Sequence, residues 1–302
     1  MSGIQALHAI SRTVADLART EAFYRDGLGF VREAPPEPLP APILRAMGLG
    51  DAPGWQLRMR IGRQAVYFLA FDPPGAAYPA SPAATDPFFQ HIAIPVRDMD
   101  RAMAVLAVLG PEPISQGGAQ TLPESSGGVA AYKFRDPDGH PVELIHFPGG
   151  DAAARWSDAA GLFLGIDHSA ITVTDLDAAL AFYAGILGLE RDSRSLNRGP
   201  EQARLDGVPD PEVDVIGLTP PRSTPHVELL HYRRPASGAR KPAPFGPRDR
   251  ATTRFVFAVD DVRALARRIQ EGGYPAALAE DGSLAYGTGP DGHGFLLVGA
   301  SP

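Results

Sequence analysis

Cysteine is missing from all 302 residues, and that single absence removes disulfides, zinc–thiolate centres and cysteine nucleophiles together. Any metal must therefore be held by imidazole and carboxylate. A surplus of positive charge is missing too. The 28 Lys and Arg stand against 35 Asp and Glu, a formal net charge of −7, so no basic surface recommends nucleic acid or an anionic membrane. No apolar run approaches the roughly 18 residues of a membrane span, and the opening MSGIQALHAI lacks the basic start and long apolar stretch of a secretory signal. These absences imply a cytoplasmic protein, monomer or homodimer, whose partner is a small-molecule substrate. What remains, 44% hydrophobic and 21% charged residues, is the composition of a globular chain long enough for two domains or several small repeats.

Repetition is what the chain does have. A strand followed by V-x-D-hydrophobic recurs at roughly 80-residue spacing: VADL at residues 14–17, VRDM at 96–99, VTDL at 173–176 and VDDV at 259–262. Each Asp, namely Asp16, Asp98, Asp175 and Asp261, is placed to cap a helix by accepting from orphan N–H groups of its first turn. Behind two of these caps stand EAFYRDGLGF (21–30) and LAFYAGILGL (180–189). Phe23, Tyr24, Phe182 and Tyr183 form a buried stripe there, and Gly29 and Gly188 can end the helix in the left-handed conformation. Apolar, β-branched runs follow each helix, so each unit reads βαβββ. The four units cover residues 4–71, 88–148, 165–233 and 252–299. They group into an N-terminal half, 1–150, and a C-terminal half, 163–302, about a linker at 149–162. Pro- and Gly-rich joints occupy residues 72–87, 148–161 and 233–250. The insert at 33–54, EAPPEPLPAPILRAMGLGDAPG, is either a loop over a cavity or, the favoured reading, a plain surface loop.

One stretch organises the rest. FRDPDGHPVELIHF, residues 134–147, is a tight turn feeding an apolar strand that carries one carboxylate, Glu143. A charge in such a strand needs a counter-ion or a metal. Its counterpart GPDGHGFLLV, residues 289–298, has Leu296 at that place. Counting back seven residues from each cap gives Ala9, His91, His168 and Arg254. Aligning the last strands gives Tyr67, Glu143, Glu228 and Leu296. Units two and three thus keep a His and a Glu each, and units one and four keep neither. His8 is one residue out of step, which on a strand turns it to the other face unless a bulge intervenes. Taken singly, each His is an ordinary strand residue. Four ligands falling on the repeat in matched pairs favour one divalent metal held by His91, Glu143, His168 and Glu228, provided that units two and three face each other; pairing one with two would split the set. The donors suit Zn, Fe(II), Ni, Mn or Co. His140, His146, His226, His231 and His293 lie off the register and read as turn residues or as supports behind the ligands.

Four βαβββ units, V-x-D-L with AFY and LG, and DPDGHPVEL resemble the vicinal oxygen chelate superfamily, which groups glyoxalase I, methylmalonyl-CoA epimerase, extradiol dioxygenases and bleomycin-resistance proteins. The resemblance spans nearly the whole chain. It implies an α+β fold in which modules pair into two cup-shaped, barrel-like mixed sheets with helices outside. It also implies a divalent metal at the first- and last-strand positions. Proton transfer of the glyoxalase or epimerase type, a lyase or isomerase activity with Glu143 or Glu228 as base, is the favoured activity. An Fe(II) ring-cleaving dioxygenase, an oxidoreductase using His91, His168 and Glu143, is the alternative. Its signature expects a Tyr where Lys133 stands and a His somewhat upstream, and no His lies between Ile92 and Gly139. A non-catalytic binding or resistance protein is the third reading, and four retained ligands speak against it. In residues 195–207, SLNRGPEQARLDG, an Arg lining the cup could hold a substrate carboxylate along two bonds, but Asn197, Arg198 and Arg204 read rather as a solvated turn with its arginines on the surface.

Overall fold

The computed structural model describes residues 3–222, 225–238 and 245–300; residues 239–244 of the third expected joint lie outside these. Unit one comprises β1 (Ile4–Thr13), α1 (Leu17–Leu28), β2 (Val31–Arg32), β3 (Glu37–Pro38), α2 (Ala41–Ala46), β4 (Gly54–Ile61) and β5 (Gln64–Phe71). Unit two has β6 (Gln90–Pro95), α3 (Met99–Leu109), β7 (Glu112–Pro113), β8 (Gln120–Thr121), β9 (Ala130–Arg135) and β10 (Pro141–His146), followed by α4 (Gly150–Ala154). Unit three has β11 (His168–Thr172), α5 (Leu176–Leu180) running on into a π-helical segment (Ala181–Ile186), β12 (Glu190–Arg198), α6 (Pro200–Asp206), β13 (Glu212–Thr219) and β14 (His226–Arg234). Unit four has β15 (Thr253–Val259), α7 (Val262–Glu271), β16 (Ala276–Leu278), β17 (Leu284–Thr288) and β18 (Gly294–Gly299).

The four expected caps form. Asp16 accepts from the Ala18 and Arg19 amides at 2.8 and 3.1 Å, and Asp98, Asp175 and Asp261 each accept from the amide three residues on at 2.9–3.0 Å. Gly29 and Gly188 take positive φ, 70° and 78°, where a side chain would strain the backbone. Phe182 and Tyr183 are buried as the stripe requires. So is Tyr24, whose hydroxyl also donates to Asp136 at 2.8 Å and receives from Arg12 at 2.7 Å.

Two mixed, nine-stranded sheets result, neither closed. One runs β16-β17-β18-β15-β1-β5-β4-β2 with β3 also on β4; the other runs β12-β13-β14-β11-β6-β10-β9-β7 with β8 also on β9. Units one and four therefore share a sheet across the antiparallel β1–β15 seam, and units two and three share the other across β11–β6. One face of each sheet packs on the helices in a continuous core that includes Ile10, Phe68, Phe134, Ile171 and Phe255. The opposite faces form two cups.

The cup of units one and four is filled. Leu39, Leu44 and Met47 from the insert pack against Ala9, Leu69, Val256 and Leu296. The insert is thus an apolar plug carrying a short helix, nearer the loop over a cavity than the favoured surface loop, and burying each large aliphatic side chain contributes about 1.5–3 kcal/mol. His8 is corrected as well. A bulge between Leu7 and Ala9 shifts the β1 register, and the His8 ring lies 3.0 Å from the Tyr67 hydroxyl, Tyr67 being packed against the filled cup. His8 is not turned away as counted, yet it belongs to the sheet that holds none of the predicted ligands.

Candidate metal centre

In the sheet of units two and three, β14, β11, β6 and β10 are consecutive neighbours, and each supplies one predicted residue. Strand alternation sets the direction. Ile92, Ile94, Val142, Leu144, Ile171, Val227 and Leu229 enter the helix-side core, so His91, Glu143, His168 and Glu228 face the cup. His91 Nε2 lies 2.9 Å from Glu143 Oε2 and 3.4 Å from His168 Nε2, and His168 Nε2 lies 3.4 Å from Glu228 Oε2. His91, Glu143 and His168 are brought together, and Glu228 stands beside His168 at the edge of this group. Donors bound about 2.0–2.2 Å from one tetrahedral ion sit roughly 3.3–3.6 Å apart; the two 3.4 Å spacings match this and the 2.9 Å His91–Glu143 contact is shorter, so the donor types fit a divalent metal once the carboxylates adjust. His91, Glu143 and His168 alone place their ligand atoms within 4.8 Å of one another, as do Asp167, His168 and His226.

Charge balance in this cluster follows from burial and pairing. Burial would depress His168, but the charge of Glu228, the hydrogen bond from His168 to Asp167 and the charges of Asp167 and Glu143 hold it up at about 9. Burial does prevail at His91, which is lowered despite its hydrogen bond to Glu143. Burial would raise Glu143, but Lys133 and the two imidazoles bring it down to about 2; His168 and His226 do the same for Glu228, also about 2. Pairing thus favours the ionised form of both carboxylates and the charged form of His168, while burial favours the neutral form of His91.

Several neighbours had no place in the repeat count. Asp167 Oδ2 accepts from His168 Nδ1 at 3.0 Å, the carboxylate–imidazole arrangement that fixes a ligand's tautomer and raises its basicity. His91 Nδ1, in contrast, is buried without a hydrogen-bond partner. His226 Nε2 lies 3.4 Å from Glu228 Oε1, and Arg155, beyond α4 in the linker, reaches Asp167 at 3.5 Å. Lys133, directly across from Glu143 on β9, stands 3.8 Å from its Oε2 and donates to Asp206 at 2.7 Å. Asp206 arrives on α6, inside the stretch read as a solvated turn. Arg204 of that stretch does stay half exposed, bonded to Gln120 at 2.6 Å and Glu201 at 3.4 Å. Asp167 and His226 were detectable as a D-H pair and an H-x-E pair flanking predicted ligands; Asp206 carried no comparable signal.

Above the cluster is a cavity of about 310 Å³, walled by apolar side chains such as Leu122, Val129, Ile145 and Val215 and by Ser193, Ser195 and Asn197 of β12. A larger cavity, about 440 Å³, lies elsewhere, beside His293, Tyr286 and Phe245, and none of the four predicted ligands lines it. His140 and His293 each reach a backbone carbonyl, of Thr13 at 2.8 Å and Thr172 at 3.0 Å, which is the turn role expected of them.

An α+β protein of paired βαβββ units, with imidazole and carboxylate gathered in one cup, defines the class. The chain belongs to the Glyoxalase/Bleomycin resistance protein/Dioxygenase superfamily, whose family model matches residues 6–144 and again 165–295. No curated protein gives a significant sequence match. Among solved structures, glyoxalase I from Zea mays is 16% identical with a TM-score of 0.61, over 99% of this chain and 92% of that one. A proposed dioxygenase from Bacillus subtilis is 14% identical with a TM-score of 0.62, over 100% and 87%. At such identities the likeness is one of fold. No helix among the described residues is long and apolar enough to cross a membrane.

Proposed function

We propose that this protein is a divalent-metal-dependent enzyme that moves a proton on a small substrate presenting two adjacent oxygens, with the metal on His91, Glu143, His168 and Glu228. The observation that carries this reading is the convergence of His91, Glu143 and His168, with Glu228 3.4 Å from His168, at the base of a cavity of about 310 Å³. A bound divalent ion would supply Lewis acidity at a substrate oxygen and so acidify the neighbouring C–H bond. The protein's own residues do the remainder. Glu143 is clamped between His91 at 2.9 Å and Lys133 at 3.8 Å, and serves as a ligand. Glu228 is the better-placed base: its side chain keeps 19% exposure against 7% for Glu143, and its closest ionic contacts are imidazoles at 3.4 Å. A carboxylate reachable from the cavity can take a proton from one substrate carbon and return it to the next.

The test is deuterium exchange at the carbon next to the carbonyl of small α-hydroxyketones, followed by NMR in D2O without O2. Exchange that requires the metal and is lost in Glu228→Gln supports the reading. The second reading, a ring-cleaving Fe(II) dioxygenase, draws on His91, Glu143 and His168, a two-histidine-one-carboxylate set. O2 uptake with a catechol by the Fe(II)-loaded protein, without anaerobic exchange, would establish it and overturn the first.

A further inference from the structure

Lysine is scarce here. Of 28 basic residues only two are lysines, Lys133 and Lys241, and Lys133 is 4% exposed and lines the cavity above the predicted ligands. A buried cation in this chain would by default be arginine, as at Arg12 and Arg254. The difference is chemical. A guanidinium is a planar fork suited to pairing one carboxylate along two bonds, whereas an ammonium is a compact charge with three diverging donors. Lys133 uses one of them: among the described residues its ammonium makes a single hydrogen bond, to Asp206 Oδ1 at 2.7 Å. Glu143 Oε2, at 3.8 Å, attracts it without forming a hydrogen bond.

Asp206 is itself fixed. Its other oxygen accepts from the Tyr232 hydroxyl at 2.8 Å and from Gln202 Nε2 at 2.7 Å, so its acceptor sites are largely occupied and the lysine has one held position. Tyr232 comes from β14 and Gln202 from α6, both of unit three, while Lys133 belongs to unit two. The ammonium is therefore set from both sides of the cup, and its unused N–H groups are free for a molecule in the cavity.

We propose that Lys133 contacts substrate: its ammonium recognises an anionic oxygen, of a carboxylate, enolate or phenolate, placed beside Glu143 in the cup. This rests on the metal-centre reading for the site but names a separate interaction, one that selects negatively charged substrates over neutral ones of equal shape. Asp206 is a positioning residue, acting through Lys133. A purely structural lysine, tying unit two to unit three, would affect stability alone.

Benzoate and its neutral counterpart benzamide are suitable probes, titrated calorimetrically into the purified protein with and without Co(II). Wild type is expected to prefer benzoate, and Lys133→Met to reduce the benzoate-to-benzamide affinity ratio roughly tenfold or more, the worth of a charge-assisted hydrogen bond. Because Lys133→Met strands the Asp206 carboxylate, Lys133→Met with Asp206→Asn is tested alongside, and the ratio should fall equally. An unchanged ratio in a folded variant overturns the proposal, as does a wild type with no preference. Metal analysis of the same samples keeps the two readings apart. Protein that takes no Co(II) yet loses its benzoate preference in the variants would defeat the metal centre and leave Lys133 standing, and protein that binds Co(II) with an unchanged ratio would do the reverse.

Discussion

The Nε2 atoms of His91 and His168 lie 3.4 Å apart, although 77 residues separate them in sequence. They come from the first strands of two different repeats, laid antiparallel across the seam of one sheet. Neither ring has an equivalent in the other sheet, where the matching positions are Ala9 and Arg254. If this closeness reflects a shared ion, Glu143→Ala and His168→Ala should each lose tightly held metal, while His8→Ala should keep the wild-type amount. Elemental analysis after gel filtration decides it. Metal retained in His168→Ala and lost in His8→Ala would move the centre to the other sheet.

A proton and a metal compete for His168. With its value held up at about 9, binding at neutral pH displaces one proton, so affinity should rise about tenfold per pH unit and level off near that value. Competition with a chromophoric chelator between pH 6 and 8 measures the slope, and a flat profile would remove His168 from the ligand set. The metal-free protein should behave oppositely. A group raised from 6.5 to about 9 stabilises fully below pH 6.5 and loses that contribution as pH climbs through 9. Glu143 and Glu228, lowered from 4.5 to about 2, stabilise above pH 4.5 and lose their contribution as pH falls through 2. Melting of metal-free wild type should therefore decline from pH 6.5 to 9, and melting of His168→Gln should decline less.

The two imidazoles differ in their support, and that difference is measurable. Asp167 fixes His168 Nδ1 at 3.0 Å, whereas nothing among the described residues bonds His91 Nδ1. Asp167→Asn keeps the shape but removes the charge, and should weaken metal binding roughly 10- to 100-fold, as loss of such partners does. It should also bring the point at which affinity levels off down from about 9. An unchanged affinity would mean that His168 binds by another atom or not at all.

How far the sequence reached follows from what its period records. Counting seven residues back from a cap works because cap and strand are locally rigid, so Asp98 and Asp175 fix His91 and His168 to one face of their strands. The same count failed at His8, since a bulge adds a residue without leaving a mark in the sequence. The plug was misread because a long insert most often lies on the surface, while Leu39, Leu44 and Met47 find their partners on strands up to 257 residues away. Asp206 was missed for the same reason: it reaches Lys133 across 73 residues, from a helix that lies in a stretch read as a turn. Repeats reveal what they share. What one copy adds appears only when chains are packed.

The filled cup offers a last test, because apolar burial and charge burial meet there. Leu44, 7% exposed within the plug, packs against the apolar residues of that cup, so Leu44→Ala should cost about 2–5 kcal/mol without altering metal content. Arg254 stands where the other cup has a histidine. It is fully buried, and its Nη2 donates to Thr13 Oγ1 at 3.0 Å and to the Pro247 carbonyl, but Nε and Nη1 have no hydrogen-bond partner. No described carboxylate lies within ion-pair distance, and burial lowers its pKa, opposed in part by Tyr286. Arg254→Met keeps the apolar stem and removes a buried charge whose desolvation no described carboxylate offsets. The melting temperature should stay level or rise, with metal content unchanged. A loss as large as that of Leu44→Ala would mean that the two hydrogen bonds outweigh the buried charge.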